Sequence, residues 1–331
     1  MASDGEAHVP GPGDLERAIL GAEAVLTSEE VAEIAGLAPE QFRRVWRSLG
    51  FPEFPPGESG FTGADADAAR LLLGVTDSGL IDFDVAVNLT RAVGQTMARL
   101  ADWEVTALLQ QVEELSAPDS AVEDRIDTAI SVVRELNKPF EGLLVYAWRR
   151  HLAAAAARME ALRASEEDLH TAEVTVGFAD IVGFTALSNT LTQERIGDLV
   201  ELFEMRCADV VATQRGRIIK SIGDSVLFVN DDPVQAYDTA EGIITVVGRD
   251  PRMPDVRVGL ASGAVVQRLG DVFGPPVNLA SRLTNVARRN RIIIDAGTAE
   301  LLPSDEFETR RLPARPVRGF GLVEPVAVRR R

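Results

Sequence analysis

EVTVGFADI (residues 173–181) alternates side chains with a period of two and reads as a strand. Downstream, TQERIGDLVELFEMRCADVVATQ (192–214) keeps the spacing of an amphipathic helix, and RIIKSIGDSVLFV (217–229) reads as strand, turn and strand. PVQAYDTAEGIITVVG (233–248) follows as a second helix and VRVGLASGAVV (256–266) as a strand. PPVNLASRLTNVARR (275–289) is then a helix, and RIIID (291–295) is one more strand. This order predicts an α+β domain, an antiparallel sheet packed with helices. No G-x-x-x-x-G-K-[ST] occurs, so P-loop chemistry is excluded.

Strand–helix–strand–strand–helix–strand is the order of a ferredoxin-like sandwich. Working outward, the texture changes abruptly upstream of Glu173. Residues 1–170 carry 14 basic and 30 acidic side chains, whereas 171–331 carry 20 and 21. The chain is therefore two chemically different modules, and nearly all of its net charge of −17 sits in the first. That module reads as all-α. Thr27 and Glu30 form a capping box, Gly36 ends a first helix and Pro39 starts a second, with Phe42, Val45, Trp46 and Leu49 at helical spacing. A third helix runs through Ala64–Leu73. The layout resembles a MerR-type helix-turn-helix. Four arginines against eight acidic residues over 25–75 make a poor DNA footprint, so a small helical bundle is the preferred reading and no nucleic-acid partner is expected.

Long helices are predicted over 82–115 and 121–136, with an interruption at Pro139 and a further alanine-rich helix from residue 141. The expected organisation is a disordered Gly/Pro-rich tail (1–13), an all-α domain (14–140), a helical connector (141–171) and the α+β domain (172–331). One cysteine, Cys207, excludes a disulfide framework, and three histidines leave no structural zinc cluster. No uncharged window of membrane-spanning length and no secretory leader are seen, so a cytoplasmic location is expected.

Candidate chemistry gathers in the second module. Asp180 ends the first strand and Asp224 sits in the hairpin turn beside it, so the two carboxylates can face one another and hold Mg²⁺ with a polyphosphate. Each alone reads equally well as turn chemistry. Between Asp180 and the next helix, the backbone N–H groups around Phe184 and Thr185 can cradle phosphates. Asn278 and Arg282, four apart on one helix, project from the same face; Arg282 suits a crowded phosphate and Asn278 a ribose, and a helix-surface role for either is the plain alternative. Lys220 is one of two lysines among 34 basic residues, which suggests that a compact ammonium is required there. Lys138, the other, has no evident role.

Three ordered motifs, F-x-D-I-x-G-F-T at 178–185, K-x-x-G-D at 220–224 and D-x-x-G-x-x-V-N-x-A-S-R at 271–282, resemble the catalytic domain of class III nucleotidyl cyclases. The resemblance implies that Asp180 and Asp224 bind two Mg²⁺ or Mn²⁺ ions per active site, and that Lys220 and Asp271 read adenine. It implies that Asn278 and Arg282 orient the ribose and stabilise the transition state, and that Arg318 takes the place of a phosphate-binding lysine. It further implies in-line attack of the ribose 3′-oxygen of ATP, giving cyclic AMP and pyrophosphate, at a site shared across a head-to-tail homodimer. The segment between Val265 and Asp271 is shorter than in many members, which bears on the dimer contact there. Guanine presents the opposite polarity at the edges that Lys220 and Asp271 would read.

The first module is similar in layout to the regulatory domain of a pH-sensitive, autoinhibited cyclase subgroup. His151 in the connector titrates in the right range for a pH sensor, or is a surface histidine beside Arg149 and Arg150. A groove among the apolar helices of 80–147 would take a lipid chain. Two other readings stand beside a regulated adenylate cyclase: a helix-turn-helix regulator carrying an inactive cyclase domain, and a guanylate cyclase.

Overall fold

The computed structural model describes residues 13–117, 119–164, 171–268 and 270–331. The expected disordered tail up to residue 12, the connector residues 165–170 and Leu269 in the short segment before Asp271 lie outside the described residues. By its contacts the chain divides into two units, Met1–Ala153 and Ala154–Arg331.

The first unit is helical: α1 (Asp14–Leu20), α2 (Ser28–Ala35), α3 (Pro39–Ser48), α4 (Gly63–Asp77), α5 (Phe83–Leu115) and most of α6 (Val122–Ala164). Helix α2 starts where Thr27 Oγ1 accepts from the Glu30 N–H at 3.3 Å and the Glu30 carboxylate accepts from the Thr27 N–H at 2.8 Å. It stops at Gly36, whose φ of +76° is left-handed and favours glycine. Val31, Ala32, Phe42, Phe61 and Ala66 make the core of this bundle, with Phe42 and Phe61 edge to face at 5.5 Å.

The break predicted at Pro139 does not occur. Helix α6 runs for 43 residues with Pro139 inside it, so the expected second helix and the connector are one element. A proline deletes one intrahelical hydrogen bond. Glu135, Leu136, Lys138 and Leu143 on either side all favour helix and carry the helix past that loss.

The second unit contains β1 (Thr171–Ile181), α7 (Phe184–Ser188), α8 (Gln193–Thr213), β2 (Arg217–Ile222), β3 (Ser225–Asn230), α9 (Pro233–Gly248) and β4 (Val256–Arg268). It continues with β5 (Asp271–Phe273), α10 (Pro275–Val286), β6 (Ile292–Ile294), α11 (Ala296–Leu301), β7 (Phe307–Arg311), β8 (Arg315–Val317), β9 (Gly321–Val323) and β10 (Val326–Arg330). The main sheet runs β2-β3-β1-β4-β6-β10-β7, with β5 pairing β4; β8 and β9 form a separate hairpin. Its first four strands are the ferredoxin-like set, all antiparallel. Beyond them β6 joins β4 in parallel, because α10 carries the chain back between the two.

Strand alternation gives this sheet two faces. Ala179, Ile181, Val226, Phe228, Val258 and Leu260 pack with Phe203 and Cys207 of α8 and Ile243 of α9 in the larger core. Val174, Val176, Phe178, Leu227, Val229 and Ala261 face the other way, toward Ala280 of α10. Helix α10 lies very close to this second face. A Cβ on Gly259 of β4 would come within 2.4 Å of the Thr284 backbone nitrogen, so only glycine fits.

Candidate active site

Asp180 is two residues beyond Phe178 on β1, so alternation sends it to the second face, and it is buried there. It pairs across the ladder with Ser225 on one side and Arg257 on the other. The Ser225 hydroxyl donates to its carboxylate. Arg257 Nε donates to it at 2.8 Å, and a second guanidinium nitrogen lies 2.7 Å away. Arg257 also reaches the side-chain oxygen of Asn285 on α10 at 3.2 Å. This arginine was not singled out in the sequence. The signal available was a charged residue between Val256 and Val258, whose alternation puts it on the Asp180 face.

Asp224 follows Gly223 in the two-residue turn between β2 and β3, where Gly223 has φ +62°. The Ile181 N–H donates to the Asp224 carbonyl at 3.2 Å, which ties the turn to the end of β1. Burial, and then the negative charge of Asp180, hold the Asp224 carboxyl above its ordinary range, with Arg257 opposing. Two hard carboxylates that repel one another are a fit donor set for Mg²⁺ or Mn²⁺. Among the described residues no third His, Cys, Asp or Glu joins them, so remaining ligands would come from substrate, backbone or water.

Immediately after β1, Gly183 (φ +74°) caps the short helix α7, whose first N–H groups, those of Phe184 and Thr185, have no acceptor within the helix. Phe184 is partly buried against the larger core and Thr185 is exposed.

Lys220 pairs with Leu227 across β2 and β3, which places it on the face that carries Asp180. Its ammonium donates to Asp271, the first residue of β5, at 2.5 Å, and the other Asp271 oxygen accepts from the Val272 N–H at 2.9 Å. Residues 51 apart in sequence are thus joined as a donor–acceptor pair. Asn278 and Arg282 stand on α10, both exposed. Asn278 donates to the Gly274 carbonyl at 3.5 Å, and the Arg282 side chain makes no hydrogen bond or ion pair among the described residues. Arg318 is exposed in the turn of the β8–β9 hairpin, and His151 is exposed on α6 in the first unit. The chain therefore brings together Asp180 with Asp224 and Lys220 with Asp271. No hydrogen bond or ion pair joins these two pairs to each other or to Arg282 among the described residues.

Comparison with known proteins places these residues in context. Residues 167–328 match the family model described as adenylate and guanylate cyclase catalytic domain. Over 96% of this chain and 89% of the other, the sequence is 38% identical to an adenylate cyclase of Streptomyces coelicolor. It is 30% identical to a pH-sensitive adenylate cyclase of Mycobacterium tuberculosis, over 92% of this chain and 78% of that one. Among solved structures it is similar to the catalytic core of a rhodopsin-guanylyl cyclase with converted specificity in complex with ATPαS. That match has a TM-score of 0.45 and 25% identity, and covers 49% of this chain and 97% of the other.

Proposed function

The chain belongs to the adenylate and guanylate cyclase catalytic domain family, and on that premise we propose that it converts ATP to 3′,5′-cyclic AMP and pyrophosphate. The observation that carries the proposal is the content of one sheet face: a repelling carboxylate pair, Asp180 and Asp224, beside the Lys220–Asp271 donor–acceptor pair. Adenine offers an acceptor at N1 next to a donor at N6. An ammonium and a carboxylate already side by side complement that edge, and guanine would leave both unpaired.

In this reading Asp180 and Asp224 hold a divalent cation. When bound, the cation supplies Lewis acidity toward the ribose 3′-hydroxyl and charge neutralisation at the polyphosphate. Lys220 donates to adenine N1 and Asp271 accepts from N6. The N–H groups of Phe184 and Thr185, with the guanidinium of Arg318, hold the β- and γ-phosphates. Asn278 orients the ribose so that the 3′-oxygen lies in line with the bond between the α-phosphorus and the leaving oxygen. That oxygen bonds to phosphorus, pyrophosphate departs, and Arg282 stabilises the charge developing on the α-phosphoryl oxygens. The two halves of this constellation are supplied by different copies in a homodimer. The exposure of the Arg282 side chain, which has no partner among the described residues, supports that division.

The helical unit, through α6, gates the catalytic unit in response to pH or a lipid. Similarity to a pH-sensitive relative across both units supports a regulatory role. Gating would be excluded if residues 172–331 alone matched the full chain in specific activity and pH profile.

The direct test is purified protein with ATP or GTP in the presence of Mg²⁺ or Mn²⁺, with products resolved by chromatography. Cyclic AMP from ATP with little cyclic GMP from GTP is expected, and equal turnover of both nucleotides would overturn the base-reading assignment. Lys220→Glu combined with Asp271→Cys should lose the ATP activity.

A further inference from the structure

On the face of the sheet opposite Asp180, α8 and the loop between α9 and β4 line a widely open surface cavity of about 550 Å³. Three arginines line it: Arg206 from α8, Arg249 from the end of α9 and Arg252 from the loop. The sole carboxylate in its lining is Asp250, and Arg252 already occupies it, with Nε at 2.9 Å and a terminal nitrogen at 2.7 Å. Arg206 comes no nearer to Asp250 than 3.6 Å. Its Nε is shut away from solvent with no acceptor. The Arg249 side chain makes no hydrogen bond or ion pair among the described residues. Asp198 of α8 lines the adjoining cavity beyond Arg252 instead.

Three guanidinium groups around one carboxylate repel each other, and a buried donor without a partner is destabilising. Asp250 offsets part of the repulsion, through ion pairs with Arg252 at 2.7 Å and Arg206 at 3.6 Å, and leaves the Arg206 Nε unpaired. An oxyanion would offset both. We propose that this cavity is a binding site for a phosphoryl oxyanion, held by Arg206 and Arg249 with Arg252 fixed in place by Asp250. Planar guanidinium groups suit such an ion because each presents two parallel N–H donors to two of its oxygens. The volume admits inorganic phosphate, pyrophosphate or the phosphate of a small ester; the shared group is the phosphoryl dianion. The proposal stands apart from the catalytic reading, whose residues it does not use.

The test is calorimetric titration of the full chain with inorganic phosphate and, separately, with pyrophosphate. Working in EDTA at matched ionic strength silences any metal-dependent binding. Saturable binding is expected, at least tenfold weaker in both Arg249→Gln and Arg206→Gln and unchanged in Arg318→Gln. Arg249 is exposed at a helix end, so its variant reports on the site even where Arg206→Gln fails to fold. No saturation with either ion up to about 10 mM would overturn the proposal. So would wild-type affinity in Arg249→Gln, or a loss that follows Arg318→Gln instead.

Discussion

Burial and the charge of Asp180 both disfavour the ionised form of Asp224, so this carboxylate costs the metal-free fold stability. The sign follows from linkage. A carboxyl whose pKa is raised by folding binds its proton more tightly in the native state, so its penalty is present above the folded pKa. The penalty fades as pH falls and vanishes below the ordinary carboxylate value of about 4, where both states are protonated. Asp224→Asn should therefore raise the melting temperature at pH 7 in EDTA, with a smaller gain near pH 4, while abolishing cyclase activity. A lower melting temperature at pH 7 would show that the repulsion is not felt. Arg257 predicts the opposite behaviour. It is the cation that faces buried Asp180, and Arg257→Ala leaves that charge uncompensated, at a cost of about 3 kcal/mol in urea unfolding. Arg257→Lys should recover only part, since one ammonium cannot serve Asp180 and Asn285 together. Asp180, Asp224, Lys220 and Asp271 were legible because each lies in a motif of fixed spacing. Arg257 was not, because its importance comes from the register of β1 against β4, which no local spacing encodes.

At the scale of elements, the strands and helices from 171 to 295 follow the sequence pattern closely, because alternating and helical periods are unambiguous there. Beyond β6 the pattern gave no account of the sheet's extension through β10 and β7. FETRR at the sheet edge and VAVRR beside it, both short and charge-rich, do not announce themselves as strands. The other departure is α6. Proline is a local signal of termination, yet the helix here is set by the residues on both sides of Pro139. Pro139 is an interior helix residue, and Pro139→Ala should restore a backbone hydrogen bond and favour the helix by as much as about 3 kcal/mol. A rise in melting temperature with an increase in helical circular dichroism is the expected result. A fall in both would mean that the helix needs the proline, and that the segment is two elements after all.

At the scale of the whole molecule, the catalytic unit of a single chain looks incomplete. Ile222 beside the Asp224 turn and Phe273 beside Asp271 are each about half exposed, at 51% and 52%, so the ground around both candidate pairs is apolar and uncovered. The Arg282 side chain projects from α10 with no partner among the described residues. A second copy related by a twofold axis, the commonest symmetry of soluble homodimers, would cover that apolar ground. In the proposed shared site the same pairing brings the Arg282 of one chain to the Asp180 of the other. Complementation separates this arrangement from a site contained in one chain. Asp180→Ala and Arg282→Ala should each be inactive alone. In a shared site, a mixed dimer has one site carrying both lesions and one carrying neither. Random pairing after co-expression or refolding gives about half mixed dimers, so activity should return to about a quarter of wild type. A site built within one chain predicts no recovery at any mixing ratio. Absence of recovery in a sample shown by tagged pull-down to contain mixed dimers would return Arg282 and Asp180 to the same chain.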